Sequence, residues 1–334
     1  MKNNQAGREI ERNIAMELVR VTEAAAMASA RYLGRGNKNL VDEAAVAAMR
    51  YTLGYVQMDG IVVIGEGEKD KAPMLYIGEH IGNGSPELLV DIAVDPVDGT
   101  TSAARGLPGA ISTVALATRG TMHYPKTFHY MNKIVTGIEA KKCIDINAPV
   151  KENLVNIAKA KKKQISEVTV VVLDRPRHEQ LVSEIREAGA RVKLITDGDV
   201  AASIDAALPN REVDVLMGIG GTPEGVLSAA AIHCIGGAIQ CKAWPRDDKE
   251  RQAAIAGGID VDKVYNAWDL IDSDDVFFAA TGVTSGELLK GVRYISGGAQ
   301  TQSIAMRCRS GTLRWIDSIH NFERLDKLGF FKLH

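Results

Sequence analysis

Apolar residues recur at three- and four-residue steps in the first part of the chain. Ile10, Ile14, Leu18, Val21, Ala25 and Ala28 form one stripe, which predicts a long helix ending near Gly34. After the polar loop Gly34-Arg35-Gly36-Asn37-Lys38-Asn39, a second helix is predicted over 42–58, with Ala45, Met49, Leu53 and Val56 inward. The pattern then shortens to strands at 60–65, 88–94 and 111–117, rich in β-branched residues. No period emerges over 121–149, where His123, Tyr124, His129, Tyr130 and Lys133 read as structural. The basic run at 159–163 reads as a solvated helix end. Beyond it, strands at 168–173, 191–195 and 213–217 alternate with a helix to Ala188, one at 200–207 and one opened by the 218–225 loop. This β-α-β-α-β-α rhythm predicts a largely parallel sheet covered by helices. Past Gly236 the segments 276–281, 291–295, 301–307 and 312–316 look like strands that complete either sheet. There is no low-complexity linker or internal repeat, and the chain divides into lobes at 1–165 and 166–334.

Polar residues gather where apolar runs stop. Strand 88–94 runs into Asp95-Pro96-Val97-Asp98-Gly99-Thr100-Thr101. Pro96 fixes its own φ and keeps Asp95 extended, and Gly99 supplies the freedom of a tight turn. Asp95 and Asp98 then converge, with the Thr100 hydroxyl beside them. Converging carboxylates repel unless a cation or proton lies between them, and hard oxygen donors suit Mg²⁺ or Mn²⁺. A plain Asx turn capping the strand is the simpler alternative. Strand 60–65 ends similarly, in Gly65-Glu66-Gly67-Glu68. Asp42 falls in the first turn of the second helix, where it also suits the helix dipole. Glu224 follows Gly220-Gly221-Thr222-Pro223, a helix start that attracts anions. Arg175 and Arg177 flank Pro176 after a buried strand, a natural phosphate clamp. Asp197 and Asp199 around Gly198 suit sugar hydroxyls. Together these groups point to a phosphorylated polyol held between a metal cluster and an arginine clamp, and to metal-assisted phosphoester hydrolysis.

The 334 residues, 46% apolar and 25% charged, are ordinary for a soluble protein. A net charge of −2 and only 5% aromatics argue against a nucleic-acid partner. Cys143, Cys234, Cys241 and Cys308 are widely spaced and read as buried thiols in a reducing compartment. The first twelve residues are polar and charged, which predicts no secretory leader, and no apolar run approaches the roughly 20 residues of a membrane span. A cytoplasmic location is expected. No Walker A run is present, which argues against nucleotide-driven transfer.

Asp95-Pro96-Val97-Asp98-Gly99-Thr100 resembles the signature of the lithium-sensitive, metal-dependent sugar and inositol phosphatase superfamily. Longer runs resemble class II fructose-1,6-bisphosphatase over nearly the whole chain. Among them are Gly34-Arg35-Gly36, Val63-Ile64-Gly65-Glu66-Gly67-Glu68, Arg175-Pro176-Arg177-His178, Asp197-Gly198-Asp199-Val200-Ala201 and Pro223-Glu224-Gly225-Val226. The resemblance implies an α-β-α-β-α layered sandwich, two sheets with helices between and outside. It implies hydrolysis of the 1-phosphate of fructose 1,6-bisphosphate with Mn²⁺ or Mg²⁺, and a homo-oligomer with no nucleic-acid or membrane partner. Asp42, Glu66, Asp95, Asp98 and Glu224 would then be metal ligands. Thr100 would orient the attacking water, with Lys38 nearby, and the Asp98-Gly99-Thr100 backbone would touch the reacting phosphate. Tyr130 with Arg175, Pro176 and Arg177 would hold the distal phosphate, and Asp197, Gly198, Asp199 and Gly221 the sugar. Two departures stand out. Asp98 replaces the Glu usual in the family, and Lys126-Thr127-Phe128-His129-Tyr130-Met131 lacks the usual acidic lead-in. A similar enzyme of photosynthetic bacteria also takes sedoheptulose 1,7-bisphosphate, and the resemblance leaves that substrate open. The alternatives are an inositol or other sugar monophosphatase, which needs no second phosphate clamp, and a non-catalytic sugar-phosphate binder.

Overall fold

The computed structural model describes residues 13–67, 74–123 and 128–327. In chain order these form α1 (Ala15–Ala30), α2 (Lys38–Leu53), β1 (Asp59–Ile64), β2 (His80–Ile81), β3 (Leu89–Asp98), α3 (Thr100–Arg105), β4 (Ile111–Thr118) and β5 (Tyr130–Thr136). Then come α4 (Val150–Ala160), β6 (Thr169–Leu173), α5 (Glu179–Glu187), β7 (Arg191–Ile195), α6 (Asp199–Ala207), β8 (Val215–Gly221), α7 (Thr222–Ile235) and β9 (Ala238–Ala243). The last are α8 (Asp248–Ala256), β10 (Val264–Asn266), α9 (Ala267–Leu270), β11 (Phe277–Gly282), β12 (Arg293–Ile295), β13 (Gly298–Arg307), β14 (Thr312–Asn321) and α10 (Phe322–Lys327).

Two sheets carry the strands. One runs β12-β13-β11-β4-β3-β1-β2, with β14 also on β13; the other runs β10-β9-β5-β8-β6-β7. One face of the first sheet packs Val62, Ile92 and Val94 against Leu18, Val21, Met49 and Leu53 of α1 and α2. Its other face places Ala93, Ala115, Phe278 and Ile304 in a shared core with α6 and α7. Met131, Val135, Val171 and Leu216 of the second sheet close that core from the far side. Leu154, Ile157 and Ile185 of α4 and α5 cover the remaining face against Val170, Val172 and Val215. The result is the expected five-layer α-β-α-β-α sandwich. The burial of α7 explains its composition: Val226, Leu227, Ala229, Ala230, Ala231 and Ile232 are all buried, because a sheet lies on either side.

Several expectations change. The second sheet is mixed rather than largely parallel: β6 pairs parallel with β7 and β8, while β5 pairs antiparallel with β8 and β9. Residues 218–221, expected as loop, extend β8 and pair with β5. The late strands β11 to β14 all join the first sheet. The second helix starts a turn earlier than predicted, because Asn37 caps it by accepting from the Leu40 amide at 3.2 Å. The basic run is only partly solvated, since Lys161 and Lys163 reach the buried Asp214 carboxylate at 3.5 and 2.6 Å. All four cysteines are free thiols, Cys234 and Cys241 buried and the other two half-buried. Among the described residues, no helix is long and apolar enough to cross a membrane. Ile10 and Tyr124 lie outside the described residues.

Candidate functional site

Strand β3 runs further than its apolar pattern predicted, through Pro96 to Asp98, with a bulge against β4 between Asp95 and Asp98. A bulge is where a strand tolerates a proline, which cannot donate to the ladder. It turns Asp95 and Asp98 to the sheet's end. Gly99 follows at φ 91°, a conformation that disfavours any other residue, and α3 starts at once. Thr100 opens α3 and its hydroxyl donates to the Val97 carbonyl at 2.9 Å.

These residues line a cleft of two joined parts. The acid part, about 480 Å³, is lined by Lys38, Asp42, Glu66, Asp95, Asp98, Thr100 and Glu224 among others. The basic part, about 440 Å³, is lined by Tyr130, Arg175, Arg177, Asp199, Gly221, His129 and Arg246 among others. Asp98, Asp197, Pro223 and Glu224 border both. Asp42 enters from the second turn of α2, not the first, so the helix dipole is not its purpose. Glu68 lies outside the described residues, as do Lys126 and Thr127.

In the acid part, like charges meet with little compensation. Burial, then Asp42 and Glu224, push the Glu66 carboxyl up to about 7. Burial, then Asp98, raise Asp95 well above the usual carboxylate range. Burial and Asp199 do the same for Asp98, although the Ala201 amide opposes them. Burial raises Asp42, with Glu43 adding to it, and burial with Asp199 raises Glu224 against the pull of Lys133. Glu224 Oε2 is buried without a hydrogen-bond partner. Among the described residues, no three His, Cys, Asp or Glu side chains stand close enough to enclose an ion as they lie. The donor set nonetheless fits a hard divalent cation: every group is an oxygen acid, and the cluster is short of positive charge.

Asp98 is held from across the sandwich. Its Oδ2 accepts from the Val200 and Ala201 amides of α6 at 3.1 and 3.4 Å. Asp197 accepts from the Thr101 amide at 3.2 Å and lies 3.6 Å from the Arg175 guanidinium. The turn at Gly198 is thus tied to the β3-α3 corner.

In the basic part, Arg175 is largely committed, donating to the Asp174 and Thr196 carbonyls at 2.9 and 2.7 Å. Arg177 donates to the Ile219 carbonyl at 2.9 Å and lies 5.2 Å over the Tyr130 ring, but its Nε is buried without a partner. The Trp244 ring meets Tyr130 edge-on at 6.2 Å. Pro176 is exposed, in a single 3₁₀ turn, and is not among the residues that line the cleft.

Three contributors are not legible in the sequence: Arg246, Lys133 and His178. A lone basic residue in a loop, such as Arg246, carries no signal. Lys133 sits on β5, a strand whose period its own charge hides. His178, immediately after Arg177, fastens the clamp to β8. Its Nδ1 donates to the Leu173 carbonyl and its Nε2 accepts from the Ile219 amide, both at 2.7 Å. That pairing requires the neutral ring, and burial, helped by Arg177 and Arg175, lowers its pKa. As pH falls through the ordinary histidine value of about 6.5, the unfolded chain takes up this proton before the folded one does. Stability from His178 is therefore complete above that value and lost below it. Between pH 7 and 5.5 the wild-type Tm should fall more steeply than that of His178→Gln. Equal slopes would mean that His178 is not the linked group.

The family model for bacterial, glpX-encoded fructose-1,6-bisphosphatase matches residues 12–320. The class 2 fructose-1,6-bisphosphatase of Haemophilus influenzae is 46% identical over 332 residues, covering 96% of this chain and 99% of that protein. Fructose-1,6-bisphosphatase 1 class 2 of Escherichia coli K12 is 45% identical over 331 residues, covering 95% and 98%.

Proposed function

The chain belongs to the family of bacterial, glpX-encoded fructose-1,6-bisphosphatases, and we propose that its two-part cleft divides one bisphosphate between its halves. The protein is a metal-dependent phosphoric monoester hydrolase of gluconeogenesis. It releases the 1-phosphate of fructose 1,6-bisphosphate to leave fructose 6-phosphate. We assign Asp42, Glu66, Asp95, Asp98 and Glu224 to holding Mg²⁺ or Mn²⁺. When bound, such a metal would supply a water of lowered pKa and positive charge against the phosphoryl oxygens. Thr100 orients that water, Lys38 faces the same part of the cleft, and the amides of Asp98, Gly99 and Thr100 meet the reacting phosphate. Tyr130, Arg175, Pro176 and Arg177 receive the distal phosphate, and Asp197, Gly198, Asp199 and Gly221 receive the sugar.

One observation carries this reading. A buried acceptor without a donor, Glu224 Oε2, belongs to a residue on the border that the two parts of the cleft share, and a buried donor without an acceptor, Arg177 Nε, to a residue of its basic part. Buried polar groups are rarely left unmatched. A metal at that border and a phosphate in the basic part would satisfy both. The test is a panel of fructose 1,6-bisphosphate, sedoheptulose 1,7-bisphosphate and inositol 1-phosphate, with Mn²⁺, Mg²⁺ or excess EDTA. Both bisphosphates should be hydrolysed, inositol 1-phosphate poorly, and EDTA should abolish turnover. Inositol 1-phosphate turned over as well as the bisphosphates would remove the need for a distal clamp.

A further inference from the structure

Lys133 is only 1% exposed, in the middle of β5 between Gly218 of β8 and Cys241 of β9. Lysine is almost never fully buried unless it is paired. Its ammonium contacts Asp199 Oδ2, itself buried at the start of α6. Burial pushes the lysine's pKa down, but Asp199 and Glu224 outweigh it and keep the side chain charged. A neighbouring glycine leaves room for the pair. A Cβ at position 220 would lie 1.9 Å from Asp199 Oδ2 and 2.7 Å from Lys133 Nζ. The next two residues of α6, Val200 and Ala201, donate their amides to Asp98. A continuous path therefore runs from the Lys133 ammonium through Asp199 and the first turn of α6 to Asp98.

We propose that Lys133 is a positioning residue, whose buried ammonium holds Asp199 toward the sugar and, through the start of α6, keeps Asp98 in register with the reacting phosphate. This rests on the reading that the 197–199 turn meets the sugar. Without the ammonium, Asp199 would lose the cation it contacts while its repulsion with Asp98 and Glu224 stayed. Asp199 would then leave its place, and the α6 amides would move with it.

The test is a double-mutant cycle of Lys133→Met and Asp199→Asn, with Tm, KM and kcat for fructose 1,6-bisphosphate measured at saturating Mn²⁺. Lys133→Met should raise KM roughly 30-fold or more, the scale of losing one partner of a buried charge pair. A merely structural lysine would lower Tm and the active fraction but leave KM unchanged. In the double variant the neutral carboxamide that replaces the Asp199 carboxylate needs no counter-charge. Its Tm should recover above that of Lys133→Met, and its KM should equal that of Asp199→Asn alone. Losses that multiply in the double variant, or a folded Lys133→Met with wild-type KM, would overturn the proposal. Should Lys133→Met fail to fold, the comparison of the double variant with Asp199→Asn still decides it. If Asp199→Asn alone leaves KM unchanged, the sugar assignment of the 197–199 turn fails, whereas the Lys133–Asp199 coupling is still read from the Tm cycle.

Discussion

Glu224→Gln should cut phosphate release from fructose 1,6-bisphosphate on the order of 100-fold or more at saturating metal, and leave the fold intact. Glu224 is the third residue of α7, whose following turns are buried between the sheets, so its backbone has no freedom to drift. Gly221 lets the carboxylate fold back, since a Cβ there would lie 1.8 Å from Glu224 Oε2. Glutamine keeps the shape and hydrogen-bonding length while deleting the charge. The variant also predicts a sign. Without metal, Glu224 adds repulsion to Glu66, Asp95 and Asp98. Removing its charge should therefore hold or raise the metal-free Tm, and shrink the rise in Tm produced by Mn²⁺. Unchanged turnover in a phosphate-release assay would strike Glu224 from the ligands.

Arg177→Ala should act on binding and raise KM for the bisphosphate about 10- to 100-fold, with a much smaller effect on kcat. Arg175 commits its Nη1 to two carbonyls and lies 3.6 Å from Asp197 through Nη2, whereas Arg177 keeps an unmatched Nε beside the Tyr130 ring. Hydrogen bonds to a charged group contribute about 1.5–3 kcal/mol each, which sets that range. The distal phosphate does not react, so its contacts strengthen little in the transition state. Fructose 1-phosphate, which lacks that group, should be indifferent to the substitution. A loss confined to kcat, or an equal loss with fructose 1-phosphate, would contradict a distal clamp.

Where the amino-acid pattern and the structure part, single residues account for it. Tyr130-Met131-Asn132-Lys133-Ile134-Val135-Thr136 does alternate, with Met131, Lys133 and Val135 on the inner face. A lysine on that face hides the period, because its charge is compensated by Asp199, 66 positions away. The Gly218-Ile219-Gly220-Gly221 stretch has poor strand propensity, yet it pairs with β5 throughout, and its glycines stand where a Cβ would meet His178, Asp199 or Glu224. The pattern puts Asp42 in a first turn because the Asn37 cap lies hidden inside a polar loop.

The chain alone determined the helices α1, α2 and α5 to α7, most of the strands, and the chemical character of the candidate site: oxygen acids and guanidinium groups at the ends of apolar runs. Those properties are local, carried by periods of two and 3.6 and by turn residues at short range. The tertiary structure decided that the last strands return to the first sheet and that β5 lies between β8 and β9. It also decided that acids from α2, β3 and α7 share a cleft with the arginines after β6. Sheet partners, and the countercharges that let Lys133 and Asp199 be buried, lie far apart along the chain, at separations where no local pattern can select them.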